Sequence, residues 1–226
     1  MRSASWLALG WLGMNALVSC HSLRGPETLE SGFYRVRRAA SLGLPAKPLY
    51  VVDARDTLHL VVPATGQRRA LPSADFTRLT FYRKEFDVDI FTIPFKIRSA
   101  REGVPAQLNS NFNAALYLGR RIDFFHIDQR AILPTLTQRV VRSRGFGYGI
   151  FLGMGSTPIN EYVTGGNTLI QYDGLVLNAG MAAIYDARIF NVGLAAGFDH
   201  LVDGNRVNWI YQQRPWFGVL FGLNLN

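Results

Sequence analysis

Along most of this chain apolar residues recur at every second position, the period of a β-strand with two unlike faces. In residues 145–156, Phe146, Tyr148, Ile150, Leu152 and Met154 share one face. The other face holds Gly145, Gly147, Gly149, Phe151, Gly153 and Gly155. Residues 106–119 set Leu108, Phe112, Leu116 and Leu118 against Asn109, Asn111, Asn113 and Tyr117. The same alternation marks 175–185 (Leu175, Leu177, Met181), 189–200 (Phe190, Val192, Leu194, Phe198) and 216–226 (Phe217, Val219, Phe221, Leu223). In residues 86–98 the phase slips: Val88 and Ile90 lie on one face, then Phe91, Ile93, Phe95 and Ile97 on the other. That slip needs a bulge or a change of environment, and Pro94 suggests an irregular or edge-like position. Six strands are clear, and two more are expected within 70–83 and 122–141, at 76–82 and 122–127.

A soluble sandwich carries Lys, Glu and Thr on its solvent face. Here the face opposite the apolar one is glycine and asparagine, and the strand bodies are almost free of charge. This pattern predicts an all-β protein: a small antiparallel up-and-down membrane-type β-barrel of about eight strands, its apolar face turned to lipid. Glycine inside leaves room for larger interior side chains, and asparagine amides bond one another. Strands of ten or more residues match the ~9–11 that cross a bilayer obliquely. Closure is required, because an open edge in hydrocarbon leaves backbone groups unpaired. Tyr117 and Phe151 on the inward face argue against an open channel. Tyr148, Tyr172, Trp209, Tyr211, Trp216 and Phe217, near strand ends, are expected to form interfacial girdles.

Ahead of the barrel (81–226), residues 31–80 predict a small β unit with strands at 32–37, 48–53 and 57–63 and turns at 53–56 and 64–67. Residues 1–19 have the form of a signal peptide: Arg2, then an apolar run over 6–18 broken only by Asn15, too short to span a ~30 Å hydrocarbon core. The run ends in Leu17-Val18-Ser19-Cys20, which resembles the bacterial lipobox. That resemblance implies cleavage after Ser19 and lipid attachment at Cys20, with 20–30 as a tether. His21 stands where an aspartate would signal inner-membrane retention, which favours the outer membrane. With one cysteine in 226 residues, an intramolecular disulfide and a multi-cysteine zinc site are excluded. If the last strand ends on the periplasmic side, 186–188 is a periplasmic turn and the β unit is periplasmic. Residues 99–103, 156–170 and 200–214 then face outward.

Nearly half the residues are apolar, 18% are charged, and the net charge is +8 with only three lysines, Lys47, Lys84 and Lys96. The basic residues are spread out, apart from Arg35, Arg37 and Arg38 and the group Arg139, Arg142 and Arg144. That spread argues against a nucleic-acid groove; the expected partners are outer-membrane lipids, lipopolysaccharide among them. The glycines of 145–155 fit neither phosphate-cradling spacing. His59, His126 and His200 have no metal-ligand spacing, so no metal, cofactor or catalytic residue is assigned. One constellation can be assembled: His200 with Asp199 or Asp203, plus Ser156 and Glu161, in the manner of a lipid A-modifying barrel enzyme. Asp87 and Asp89 lie on one side of a strand, suited to acid/base work or calcium but more simply to pairing with arginines at the periplasmic rim.

Residues 86–96, 107–113, 117–119 and the closing Trp209-Ile-Tyr-Gln212, Pro215-Trp216 and 221–226 resemble an uncharacterised family of small Bacteroidetes outer-membrane proteins. The resemblance implies a membrane barrel in a Gram-negative envelope and brings no catalytic or ligand-binding residues. The expected function is a structural or envelope-interaction role without evident catalysis. The alternatives are a lipid-tethered, lipocalin-like soluble cup for an apolar ligand and the lipid A-modifying enzyme.

Overall fold

The computed structural model describes residues 29–38, 47–54, 57–72, 79–133, 136–186 and 190–223. The signal segment, Cys20, most of the tether and the 187–188 turn lie outside them. Among the described residues there are eleven strands: β1 (Gly32–Arg38), β2 (Leu49–Ala54), β3 (Thr57–Val61), β4 (Arg68–Pro72), β5 (Leu79–Arg98), β6 (Gln107–Asn109), β7 (Asn113–Leu133), β8 (Leu136–Ile159), β9 (Tyr172–Asp186), β10 (Phe190–Leu201) and β11 (Pro215–Leu223). The described helical structure is two 3-10 turns, Tyr162–Thr164 and Gly204–Val207.

The strands form one antiparallel sheet in the order β11-β10-β9-β8-β7-β5-β1-β2-β3-β4, with β6 on β5. β11 also pairs with β5, so β5, β7, β8, β9, β10 and β11 make a barrel-like ring with up-and-down connectivity. The ring holds the six strands that alternation marks. Of the two further segments, the described residues 79–82 and 122–127 lengthen β5 and β7 instead of adding staves, because they continue the same ladders without a break.

The stagger of the ring follows from its register. Paired residues followed once around from Lys84 pass Ile122, Phe146, Tyr185, Val192 and Phe221 and return to β5 at Thr92, eight residues on. Starting from Asp89 the path passes Tyr117, Phe151, Gly180, Gly197 and Trp216 and returns at Arg98, nine residues on. The extra residue is a bulge at Pro94, opposite the register shift between Val219 and Phe221. Eight residues at ~3.3 Å against six strands at ~4.8 Å tilts the strands by about 45°. The predicted slip in β5 is therefore real but displaced: Phe91 and Ile93 point inward with Tyr117, whereas Phe95 and Ile97 point outward. A proline has no N–H to give a ladder, so the irregularity falls on it.

β5, β7 and β8 have 20, 21 and 24 residues, longer than the ring uses, and their excess builds the small β unit. β1 pairs with β2 through Gly32–Tyr34 and with β5 from Arg35 onward. β4 adds a fourth strand to the three expected, after a turn in which Gly66 has φ of 68° and donates to the Val62 carbonyl at 2.9 Å. The inner side of this coiled sheet buries Tyr34, Leu49, Val51, Leu58, Leu60, Phe81, Ile127 and Val141. The end of the tether is fastened there: Leu29 is buried, its N–H donates to Asp53 Oδ2 at 2.8 Å, and Glu30 pairs with Arg83 at 3.0 Å.

Candidate functional site

The outer surface of the ring is apolar on every strand. β5 presents Phe86, Val88, Ile90, Phe95 and Ile97; β7 presents Leu116 and Leu118; β8 presents Phe146, Tyr148, Ile150, Leu152 and Met154. β9, β10 and β11 continue it with Leu175, Leu177, Met181, Phe190, Leu194, Phe198, Phe217 and Phe221. Leu152, Met181 and Leu194 are 67%, 68% and 70% exposed. Arg120, between Phe86 and Tyr148, faces outward at the lower edge of this surface; from Val88, Leu118 and Ile150 up to Leu175 and Phe217 no described Asp, Glu, Lys or Arg points outward on the ring. A monomer in water rarely exposes a contiguous apolar patch beyond a few hundred Å², and this one encircles the ring.

The interior is filled. Phe91, Ile93, Ala115, Tyr117, Phe151, Ala182, Ile184, Ala195, Trp216 and Leu220 form one buried cluster across the bore. A six-stranded ring is narrow, and the inward glycines make the fit possible. A Cβ on Gly119 would lie 2.2 Å from the Tyr117 hydroxyl, and one on Gly149 2.8 Å from Tyr117 Cε2. Phe151 takes the space over Gly180 and Gly197, where a Cβ would come within 2.8 and 3.0 Å of its Cζ. The expected role of the glycine face holds in these details, and the inward Tyr117 and Phe151 stop the bore.

Polar groups lie on either side of this plug. Toward the loop end, Lys96, Arg98 and Asp199 are buried together. Lys96 Nζ donates to Asp199 Oδ1 at 2.8 Å and Asn113 Oδ1 at 2.7 Å, and Arg98 donates to Asp199 Oδ2 at 2.5 Å and Thr157 Oγ1 at 3.0 Å. Lys96 also sits 4.5 Å over the Trp216 ring, and Arg98 lies 5.2 Å from that of Trp209. Two cations thus share one carboxylate. Toward the opposite end, Arg121 donates to Asp123 at 2.8 Å and to Asp186. These charges lie inside strand bodies expected to be almost free of charge; their mark in the sequence is Phe95-Lys96-Ile97-Arg98, in which charged and apolar residues alternate.

Beyond the loop-end cluster the loops pack their own core, with Ile159, Val163, Val176, Leu201, Trp209, Ile210 and Tyr211 buried. Burial raises the Tyr211 hydroxyl pKa, opposed in part by the neighbouring Arg98 and Arg101. A polar cleft of about 510 Å³ opens beside this core, lined by Arg101, His200, Arg206, Trp209 and Arg214 among others.

Several expected placements change. His200 and Asp199 alternate across β10, so they face opposite ways. His200 Nδ1 meets Gln212 Nε2 at 2.9 Å, whereas Asp199 is taken by the two cations. Asp203 accepts from the Tyr172 hydroxyl at 2.7 Å and caps the turn through Asn205 N at 2.8 Å. Ser156 Oγ accepts from Asn111 at 3.3 Å, and Glu161 starts the Tyr162–Thr164 turn. Among the described residues nothing joins these five into a catalytic unit. Asp89 accepts from Asn191 at 3.4 Å rather than from an arginine. Of the expected girdle, Tyr148 and Phe217 do face outward, but Trp209, Tyr211 and Trp216 are buried. Trp216 falls in phase with the inward Gly218 and Leu220. The aromatic residues at the edge of the band are Phe86, Phe146, Tyr148, Tyr185 and Phe190 instead. His59, His126 and His200 lie on β3, β7 and β10, and no group of three or more metal-ligating side chains forms among the described residues.

Comparison with family models, curated proteins and solved structures returned no match.

Proposed function

We propose that this chain is a lipid-anchored, plugged β-barrel protein of a bacterial outer membrane, with a structural or envelope-interaction role and no transport. The observation that carries the reading is the apolar band on the outside of all six ring strands, with charge only at its lower edge, at Arg120. From Leu175 to Tyr185 the band runs ten steps, which at ~3.3 Å per residue and a tilt of about 45° span about 23 Å, near the ≈ 25 Å of membrane-barrel bands. A lipocalin-like cup needs the reverse arrangement, a polar exterior around an apolar cavity; here the exterior is apolar and the bore is full. Six strands are fewer than the eight of the smallest single-chain outer-membrane barrels, and the inward glycines are what fit large rings into so narrow a bore. The loops at 160–171 and 202–214 then face away from the cell and the small β unit lies in the periplasm, on the same side as the Cys20 anchor.

The test is fractionation of a Cys20→Ala chain. The band predicts that it stays in the membrane pellet through a urea wash, needs detergent for release, and migrates differently on a gel when boiled. A monodisperse, detergent-free Cys20→Ala protein in the soluble fraction would overturn the reading.

A further inference from the structure

We infer that the basic outer face immediately below the apolar band is a docking surface for the headgroups of anionic phospholipids. The inference rests on the membrane reading above. Two basic clusters more than a hundred residues apart in sequence are brought onto one face by strand pairing. Arg35 pairs laterally with Tyr82, Tyr82 with Phe124, and Phe124 with Arg144, giving one row across β1, β5, β7 and β8. The next row toward the ring is Lys84, Ile122 and Phe146, and the next is Phe86, Arg120 and Tyr148, where the apolar band begins. Away from the ring, Arg142 lies opposite His126, and the Arg37 guanidinium sits 4.9 Å over the Phe124 ring. Arg35, Arg37, Lys84, Arg120, Arg142 and Arg144 are all exposed.

The two faces of these same strands treat charge differently. On the inner face each arginine has a carboxylate: Arg83 with Glu30 and Glu85, Arg121 with Asp123 and Asp186, Arg139 with Asp53. On the outer face none of the six cations forms an ion pair with a described residue, and Asp128 is the one carboxylate among the described outer-face residues of β1, β5, β7 and β8. Six like charges within a few strand spacings repel one another unless an anion neutralises them. The rows begin at the edge of the apolar band and reach ~5–15 Å below it, the depth of headgroups and of their screened surface potential. Phe86, Phe146 and Tyr148 supply the amphipathic transition between the two zones. A soluble polyanion would satisfy the charge, but it has no use for the apolar edge with which this face is continuous.

The experiment uses the full chain purified in a nonionic detergent, with retention of phosphatidylglycerol and phosphatidylcholine of equal chain length read by native mass spectrometry. The native protein is expected to retain phosphatidylglycerol at least tenfold better, with the preference shrinking as salt rises. Removing Arg35, Arg37, Arg142 and Arg144 as glutamines should lower that affinity by about five-fold per arginine, without changing heat-modifiable migration. If that variant does not fold, Arg142→Gln with Arg144→Gln alone should lower it by about 25-fold. Equal retention of the two lipids by the native protein, or undiminished preference in a folded variant, would overturn the proposal. So would stronger retention of lipid A phosphates, or of a soluble polyphosphate, than of phosphatidylglycerol. Failure of the membrane reading looks different: the Cys20→Ala chain would then not float with zwitterionic vesicles at all.

Discussion

The buried cluster at the loop end makes an asymmetric prediction. Lys96, Arg98 and Asp199 are at most 2% exposed, so their charges are balanced by one another and not by solvent. With two cations to one carboxylate, the three partners are not equivalent. Asp199→Asn leaves Lys96 and Arg98 side by side without a counter-charge, and removing one partner of a buried ion pair costs about 3–5 kcal/mol. Lys96→Met keeps most of the side-chain volume and leaves Arg98 and Asp199 as a one-to-one pair at 2.5 Å. Its cost is the lysine's hydrogen bond to Asn113, about 1 kcal/mol or less once relief of the buried excess charge is counted. Urea titration of the detergent-folded protein reads both, with tryptophan emission as the signal because Lys96 lies over the Trp216 ring. The expected order is native, then Lys96→Met close behind, then Asp199→Asn far below. Equal losses for the two variants would refute the view that charge imbalance, rather than simple loss of contacts, governs this cluster.

Three further outcomes follow from other parts of the molecule. The nearest atoms a Cβ on Gly222 would meet are side-chain ones, Phe91 Cε1 at 2.5 Å and Asn191 Cβ at 3.6 Å. Gly222→Ala should therefore cost about 1–3 kcal/mol, and Phe91→Leu should recover much of it; strict additivity in the double-mutant cycle would contradict the packing. Leu194→Arg, at a wide-open position near the middle of the band, should cost about 2–4 kcal/mol in a bilayer, measured by urea unfolding in vesicles; a neutral effect would place Leu194 in water. Burial pushes the Tyr34 hydroxyl up to about 12, and the group donates to the Glu30 carbonyl at 2.6 Å. A folded-state value above the unfolded one of 10 means this contribution is intact below pH 10 and lost as pH rises toward 12. Tyr34→Phe should flatten that part of the stability profile relative to the native chain, by up to about 1.4 kcal/mol per pH unit.

Alternation alone assigned the faces of the ring strands, because which way a strand residue points is a local matter of backbone period. Leu152, Met181 and Leu194 are outside, and Tyr117 and Phe151 inside, as that period requires. An irregularity in β5 was equally visible in Val88-Asp-Ile-Phe-Thr-Ile-Pro94, although that it is a bulge, and where, was not, since the register of β5 against β11 pins it. Everything involving distant partners was decided by the tertiary structure. Pairing of β11 with β5 sets the ring at six and lets the remaining lengths of β5, β7 and β8 become the small unit. The same closure brings Asp199 to Lys96 and Arg98 across more than a hundred residues, and away from the neighbouring His200. Chain separation carries no record of such contacts. They depend on how far each ladder is staggered against the next, and that stagger is a property of the whole ring.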